Sequence, residues 1–199
     1  MNSLGPGSGV SSATGPIGCG NRRRWASSEE IPYFYLDFDD LSADLMRDLD
    51  ADYSKVRDGI RARVPDRAFP HMLDYLAMER LSYQSESTDI RESFTTSKTL
   101  GAIKPPTKQL STGEWVIDTD HRFFTDDISY GLCIAKWMAQ QMDLSVPTID
   151  AIIDWVQGLR GEQYLANGKL LIDSESLSGD LRSGIPPVYG IETIEGVVD

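Results

Sequence analysis

Apolar residues recur at helical spacing through three stretches of this chain. Leu41, Leu45, Leu49, Tyr53, Val56, Ile60 and Val64 follow one another at intervals of three and four, forming one face of a long amphipathic helix. Aspartates, arginines and lysines fill the opposite face. Pro65 ends the run, because proline has no N–H to continue the ladder. Ile128, Leu132, Ala135, Ala139 and Met142 make a second stripe. Ile149, Ile152, Ile153 and Val156 make a third, entered at Pro147, whose fixed φ suits a first helical turn. Shorter helices are expected from Pro70 to Arg80 and from Ile90 to about Ser97, the latter capped by Ser87-Thr88-Asp89.

Between these helices the pattern breaks. Ile31-Pro32-Tyr33-Phe34-Tyr35-Leu36 is extended near Pro32 and reads as a strand or a buried connection. Residues 101–113, with Pro105-Pro106, read as an ordered loop, and Trp115-Val116-Ile117 as a short extended piece. Thr125 is placed to cap the helix of the second stripe, with Asp126 and Asp127 in its first turn, where carboxylates favour the positive end of the dipole. Asp143 to Pro147 turns into the next helix, Gly158 and Gly161 break that one, and Tyr164 to Leu171 forms a short terminal segment. Beyond Asp173, Ser, Gly and Pro predict a tail with a brief strand at Val188-Tyr189-Gly190-Ile191. The expected fold class is all-α, a helical bundle with irregular connections. Residues 1–20 are expected to be a flexible Gly/Ser-rich segment, 21–173 the helical domain and 174–199 a C-terminal tail.

The 199 residues suit one domain, and 40% hydrophobic content supplies a core. A formal charge of -12, with Arg22-Arg23-Arg24 as the one basic run, argues against nucleic acid as a partner while leaving room for a small basic pocket. Cys19 and Cys133 make neither a disulfide framework nor a zinc spacing, and Cys133 is expected to pack as a small hydrophobe. No apolar stretch is long enough to span a bilayer, and the first twenty residues lack the apolar core of a secretory signal, so a cytoplasmic location with no membrane partner is expected. Trp25, Trp115, Trp137 and Trp155 read as core or cleft aromatics. Asp48-x-Asp50-x-Asp52 lacks the glycine and terminal glutamate of a calcium loop and reads as solvated helix-face charge; no metal site is expected.

The candidate chemistry lies in His121-Arg122-Phe123-Phe124-Thr125-Asp126-Asp127-Ile128-Ser129-Tyr130. An arginine presents a fixed fork of donors that suits a carboxylate or phosphate. Asp127 can orient a histidine or another cation. Taken by themselves, the same residues also fit an arginine paired with a nearby carboxylate plus ordinary helix-terminal acids.

This segment resembles the site segment of the helical domain of opine dehydrogenases, in which an aromatic-rich arginine stretch precedes an acidic pair and a hydrophobic helix. Three other stretches are similar in order and spacing: Pro32-Tyr33-Phe34-Tyr35, Val146-Pro147-Thr148-Ile149-Asp150, and Tyr164 with Gly168-Lys169. The resemblance runs from about Arg24 to Ile172. It implies the C-terminal helical domain of an opine or 6-phosphogluconate type of dehydrogenase, which condenses an amino acid with a 2-oxo acid reductively. By position, Asp127 would be catalytic, stabilising a protonated histidine. Arg122 would bind the cofactor, through the pyrophosphate of NAD or NADP. His121 and Tyr130 would border the substrate.

Three departures stand out. The family's histidine is expected near Gly15-Pro16-Ile17-Gly18, where this chain has none; His71 and His121 are its two histidines. Ser129 stands where the family usually has proline, and Asp126 where it usually has glutamate. No Gly-x-Gly-x-x-Gly follows a strand, so the cofactor would be bound mainly by a separate Rossmann domain, in cis or in trans, with none held by this chain alone. The expectation is therefore a substrate domain lacking its nucleotide-binding half and inactive alone. The alternative is a non-catalytic helical binding module or degenerate pseudoenzyme.

Overall fold

Asp39 opens the first helix by accepting a hydrogen bond from Ser42 N at 2.9 Å, and α1 then runs Asp40–Arg63. Val64 closes it by donating to the Ile60 carbonyl at 3.1 Å, just before Pro65. This computed structural model describes residues 24–171 and 183–198. The expectations for residues 1–20, including Cys19 and the Gly15–Gly18 stretch, lie outside the described residues, as do Ile172 and Asp173.

Helix α2 (Tyr75–Tyr83) starts later than the apolar pattern implies, because the Asp74 carboxylate caps it through Ala77 N at 2.7 Å. Helix α3 (Ile90–Thr95) is capped by Asp89 as expected. Two hairpins then depart from an all-α reading. Strands β1 (Thr107–Gln109) and β2 (Trp115–Ile117) pair antiparallel, with Gly113 at φ 92 in the turn. Trp25 bridges to Trp115 on that hairpin. Strands β3 (Leu165–Ala166) and β4 (Lys169–Leu170) are joined by Asn167-Gly168, at φ 52 and 72, the backbone that a two-residue hairpin turn demands. Residues 31–36 form no strand: they make turns, with Ile31 buried against Trp25.

The remaining helices are α4 (Arg122–Asp126), a π-helical segment (Asp127–Leu132), α5 (Cys133–Gln141) and α6 (Pro147–Arg160). Gly158 sits inside α6, and Gly161, at φ 71, ends it. The main core gathers residues of all three predicted stripes. Ile128, Leu132, Ala135 and Ala139 face Ile149, Ile152, Ile153 and Val156, and Val56 and Ile60 of α1 join them. Trp137 and Cys133 are fully buried, and burial pushes the Cys133 thiol up to about 12, so it packs as an inert apolar group. A smaller core holds Phe38, Ala43, Tyr75, Ile90 and Phe94, with the Phe94 ring 4.5 Å from Phe38 and 5.2 Å from Tyr75.

Residues 183–198 pack into the fold, where a tail was expected. Ser183, Ile185 and Ile194 are buried, and Ile185 and Ile194 belong to the main core. The expected strand at 188–191 is replaced by a 3-10 turn, Pro186–Tyr189, because two prolines fix φ and withhold ladder donors, and Gly190 at φ 77 then reverses the chain. A last helix, α7 (Ile194–Val198), follows.

One charge of the Asp48–Asp52 run is structural, where solvated charge was expected. Asp52 is 2% exposed and its carboxylate accepts from Thr148 N at 2.7 Å and Ile149 N at 3.2 Å. Val146 offers α6 no side-chain cap, so α1 caps α6 across the core, with Lys55 Nζ 2.7 Å from the same carboxylate. Asp50, its neighbour on α1, takes the Tyr75 N–H at 3.2 Å and Arg57 at 3.0 Å.

Candidate functional site

His121 sets the start of the site segment. Its own N–H donates to the Asp118 carbonyl, its backbone is extended, and its Nδ1 accepts from Phe123 N at 3.3 Å. Helix α4 therefore begins at Arg122, one turn before the predicted cap. Thr125 lies inside it and donates its hydroxyl to Asp126 at 2.9 Å. The acidic pair thus sits at the junction of α4 with the π-helical segment, and not in a first helical turn. Because Nδ1 accepts, a neutral His121 carries its proton on Nε2.

At Asp127 the helix widens. Cys133 N donates to Ile128 O, five residues back, so Ser129 O is not used by the N–H four residues on. The C-terminal segment takes that carbonyl: Gly184 N donates to it at 3.0 Å and Ser183 Oγ at 3.2 Å. The Ser129 hydroxyl lies 3.0 Å from the Tyr164 hydroxyl, which donates to Glu162 at 2.7 Å. Glu162 pairs with Arg160 at 2.6 Å, and Arg160 donates to the Thr119 carbonyl. This chain of bonds braces both ends of the segment that carries Arg122 and Asp127. Burial pushes Tyr164 up to about 12, while the Arg160 bond holds Glu162 below the usual carboxylate range. Arg160 and Glu162 were not singled out from sequence. Polar residues after a helix end carry no periodic signal, and only their common contact with Tyr164 links them to the site.

The ring of Tyr130 packs directly on Gly184. A Cβ at that glycine would lie 2.2 Å from Tyr130 Cδ1, too close for any side chain. Gly184→Ala should therefore displace either the ring or the C-terminal segment. It is expected to lower stability by about 1–3 kcal/mol, read as a drop in the thermal midpoint; an unchanged midpoint would remove Tyr130 as the obstacle.

Asp127 is surface-exposed overall, but neighbouring protein displaces part of the water around its carboxyl. That burial raises its pKa, opposed by Arg122, reinforced by Asp126 and opposed again by His121. Asp127 in turn acts on two tyrosines. Tyr53 of α1 is pushed up to about 12, by burial first and by Asp127 second. Tyr35 is also raised, by burial first and then by Tyr83, Glu79 and Asp127. Asp127 thus shares an electrostatic environment with His121 and Arg122 and acts through space on Tyr35 and Tyr53. Tyr35 belongs to the aromatic turn, where the Phe34 ring lies 5.8 Å from Phe123. Arg122 is exposed and makes no direct hydrogen bond or ion pair among the described residues, which leaves its donor fork available to a ligand. Tyr130 packs against Gly184, and His71 is exposed on the loop before α2. Among the described residues, no group of His, Cys, Asp and Glu is arranged to hold a metal ion, and no helix is long and apolar enough to cross a membrane.

The family model described as NAD/NADP octopine/nopaline dehydrogenase, alpha-helical domain, matches residues 15–160. The chain is 25% identical over 190 residues to an opine dehydrogenase of Haliotis discus hannai, a match that covers 92% of the chain and 45% of that protein. It is 26% identical over 184 residues to the octopine dehydrogenase of Pecten maximus, covering 88% and 44%. The structure of octopine dehydrogenase with NADH and pyruvate matches with a TM-score of 0.68 at 25% identity, over 85% of this chain and 40% of that one. The same enzyme with NADH and L-arginine gives 0.72 at 24% identity over 84% and 41%, a likeness of fold. The chain spans less than half the length of the curated relatives it matches. With most of its residues matched by that model, the chain belongs to the octopine/nopaline dehydrogenase family, as its alpha-helical domain.

Proposed function

We propose that this chain is the substrate and catalytic helical domain of an opine dehydrogenase-like oxidoreductase, which condenses an amino acid with a 2-oxo acid reductively. The working bounds of the domain are 21–173, to which burial of Ile185 and Ile194 adds 183–198. The observation that carries the reading is the short Arg122–Asp127 segment. It presents an exposed, uncommitted guanidinium and, less than two helical turns on, a partly desolvated carboxyl.

NADH or NADPH, held mainly by a Rossmann domain in cis or in trans, would supply the hydride. Arg122 fits the pyrophosphate of such a dinucleotide, since a planar fork donates two parallel bonds to phosphate oxygens. Closing that contact would draw the two domains together and exclude water from the reacting groups. Asp127 would hold an imidazolium placed against it, because a carboxylate short of water gains more from a neighbouring cation than one in bulk solvent. His121 can donate through Nε2 beside Arg122, and with Tyr130 it is assigned to the substrate border.

Expressed together with a nucleotide-binding half, the Arg122→Ala form should bind dinucleotide about tenfold or more weaker, the loss expected for a charged hydrogen-bonding group. Titration of NADH fluorescence reads this, and equal affinity in both forms would refute the assignment. A second reading, a helical binding module without catalysis, draws on Gly15-Pro16-Ile17-Gly18, which offers no histidine. Coding sequence upstream of Met1 separates the two. An in-frame Gly-rich βαβ unit with a histidine supports the enzyme, and a stop codon supports the module.

A further inference from the structure

The Asp127 carboxyl makes no direct hydrogen bond or ion pair among the described residues, so the backbone beneath it decides where it points. That backbone lies in widened turns. Asp127 N donates to Arg122 O and Cys133 N to Ile128 O, each five residues back. In an α-helix the Cys133 N–H would hold Ser129 O. Here Ser183 Oγ and Gly184 N hold that carbonyl from outside the helix.

The Ser129 side chain is also held from outside, by Tyr164. Ser129 is 3% and Tyr164 7% exposed, and their hydroxyls lie 3.0 Å apart. A phenol has one proton, and Tyr164 gives it to Glu162, so Ser129 is the donor of the pair. Arg160 closes the line with a fork on Glu162, through bonds of 2.8 and 2.6 Å. Each member of the line has its partner, and a buried polar network of that kind rigidifies what it touches. A phenylalanine ring would fill the same place in the core. What the hydroxyl adds is a fixed position for Ser129, two residues from Asp127.

We infer that Tyr164 is a positioning residue for the Asp127 carboxylate, which it directs at the reacting groups through Ser129. This rests on the dehydrogenase reading, in which Asp127 holds an imidazolium. The Arg122 end of the segment is tied separately, by Arg160 to the Thr119 carbonyl, so loss of the Tyr164 hydroxyl leaves that tie in place.

The test compares the parent, Tyr164→Phe, Asp127→Asn and the double variant, each joined to a nucleotide-binding half. NADH oxidation is followed with pyruvate and L-arginine as probe substrates, the molecules named with NADH in the octopine dehydrogenase structures. Turnover is counted per NADH-binding site, so an unfolded fraction does not enter. Tyr164→Phe is expected to cut turnover about 10- to 100-fold, the scale of a misplacement of about 1 Å, with NADH affinity unchanged. In the Asp127→Asn background the same change should cost nothing further, because no charge is left to aim. A tyrosine that only supports the fold would move the melting point and leave turnover per site as it was. Tyr164→Phe at parent turnover beside a slow Asp127→Asn, or losses that multiply in the double variant, would overturn the positioning role and leave the dehydrogenase reading standing. Asp127→Asn at parent turnover would overturn that reading and this inference with it. If Tyr164→Phe does not fold, Ser129→Ala removes the same bond from its other end and decides by the same comparison.

Discussion

Asp127→Asn, in the chain joined to a nucleotide-binding half, is expected to lower turnover by about two to four orders of magnitude, the range ascribed to a positioned acid–base group. Dinucleotide affinity should change little, because the proposed pyrophosphate contact belongs to Arg122. Asparagine keeps the shape and loses the charge, so it tests the field at the imidazolium and not the packing. A pH profile adds an independent reading. The carboxyl's pKa is raised, chiefly by burial, so the ionised form is lost at higher pH than for an ordinary aspartate. In the assembled enzyme the imidazolium opposes this rise; parent activity should fall as pH drops through the resulting pKa, and the asparagine variant should lack this acid limb. The sign for stability runs the other way. A raised pKa means that the folded chain binds the proton more tightly than the unfolded one, so ionised Asp127 opposes folding above that pKa and the opposition fades as pH falls. Asp127→Asn should therefore melt no lower than the parent at neutral pH. Unchanged turnover would remove the catalytic assignment, and a collapsed melting point would recast Asp127 as structural.

Asp52→Ala should be the most destabilising of the substitutions considered, by about 3 kcal/mol or more, since a hydrogen bond to a charged group contributes about 1.5–3 kcal/mol and Asp52 accepts two from backbone. The carboxylate is 2% exposed, and its removal strands the Thr148 and Ile149 N–H groups at the start of α6 with no side chain of that helix to replace it. Against a typical total of about 5–15 kcal/mol this is a large share. Asp52→Asn, which keeps one acceptor, should lose less. Lys55→Met should lose least, because Lys55 is 47% exposed and its pairing is screened by solvent. Urea denaturation of the three variants gives the order. If Asp52→Ala unfolds within about 0.5 kcal/mol of the parent, as an ordinary surface change does, the cross-core cap is not what holds α1 to α6.

How far the sequence carries depends on the range of the interaction concerned. The faces of α1, α5 and α6 were legible because burial against one neighbour imposes a period of 3.6 residues. Pro65 and Gly161 were legible as stops because their effect is confined to their own backbone. The β3–β4 hairpin carries a local cue in Asn167-Gly168 between Leu165-Ala166 and Lys169-Leu170, although strands this short show no alternation of their own. β1 carried no such cue. Its three residues are defined by the partner strand alone, as is the Trp25 bridge to the same hairpin.

The site divides along the same line. Arg122 and Asp127 could be picked out from order and spacing, and the family with them. Their setting could not. The π-helical register at Asp127–Leu132 depends on Ser183 and Gly184 drawing the Ser129 carbonyl, from 54 and 55 residues away along the chain. Tyr35 and Tyr53 feel the charge of Asp127 from elements far ahead of it in the chain. Asp52 reads as surface charge until α6 arrives on top of it. By itself the sequence determined which segments are helical and which faces are apolar, since those follow from local propensity and periodic burial, and its ordered motifs resembled one family. Tertiary structure alone decided which polar groups are buried and paired and where the helix widens, because each of those is a contact between residues that no local pattern connects.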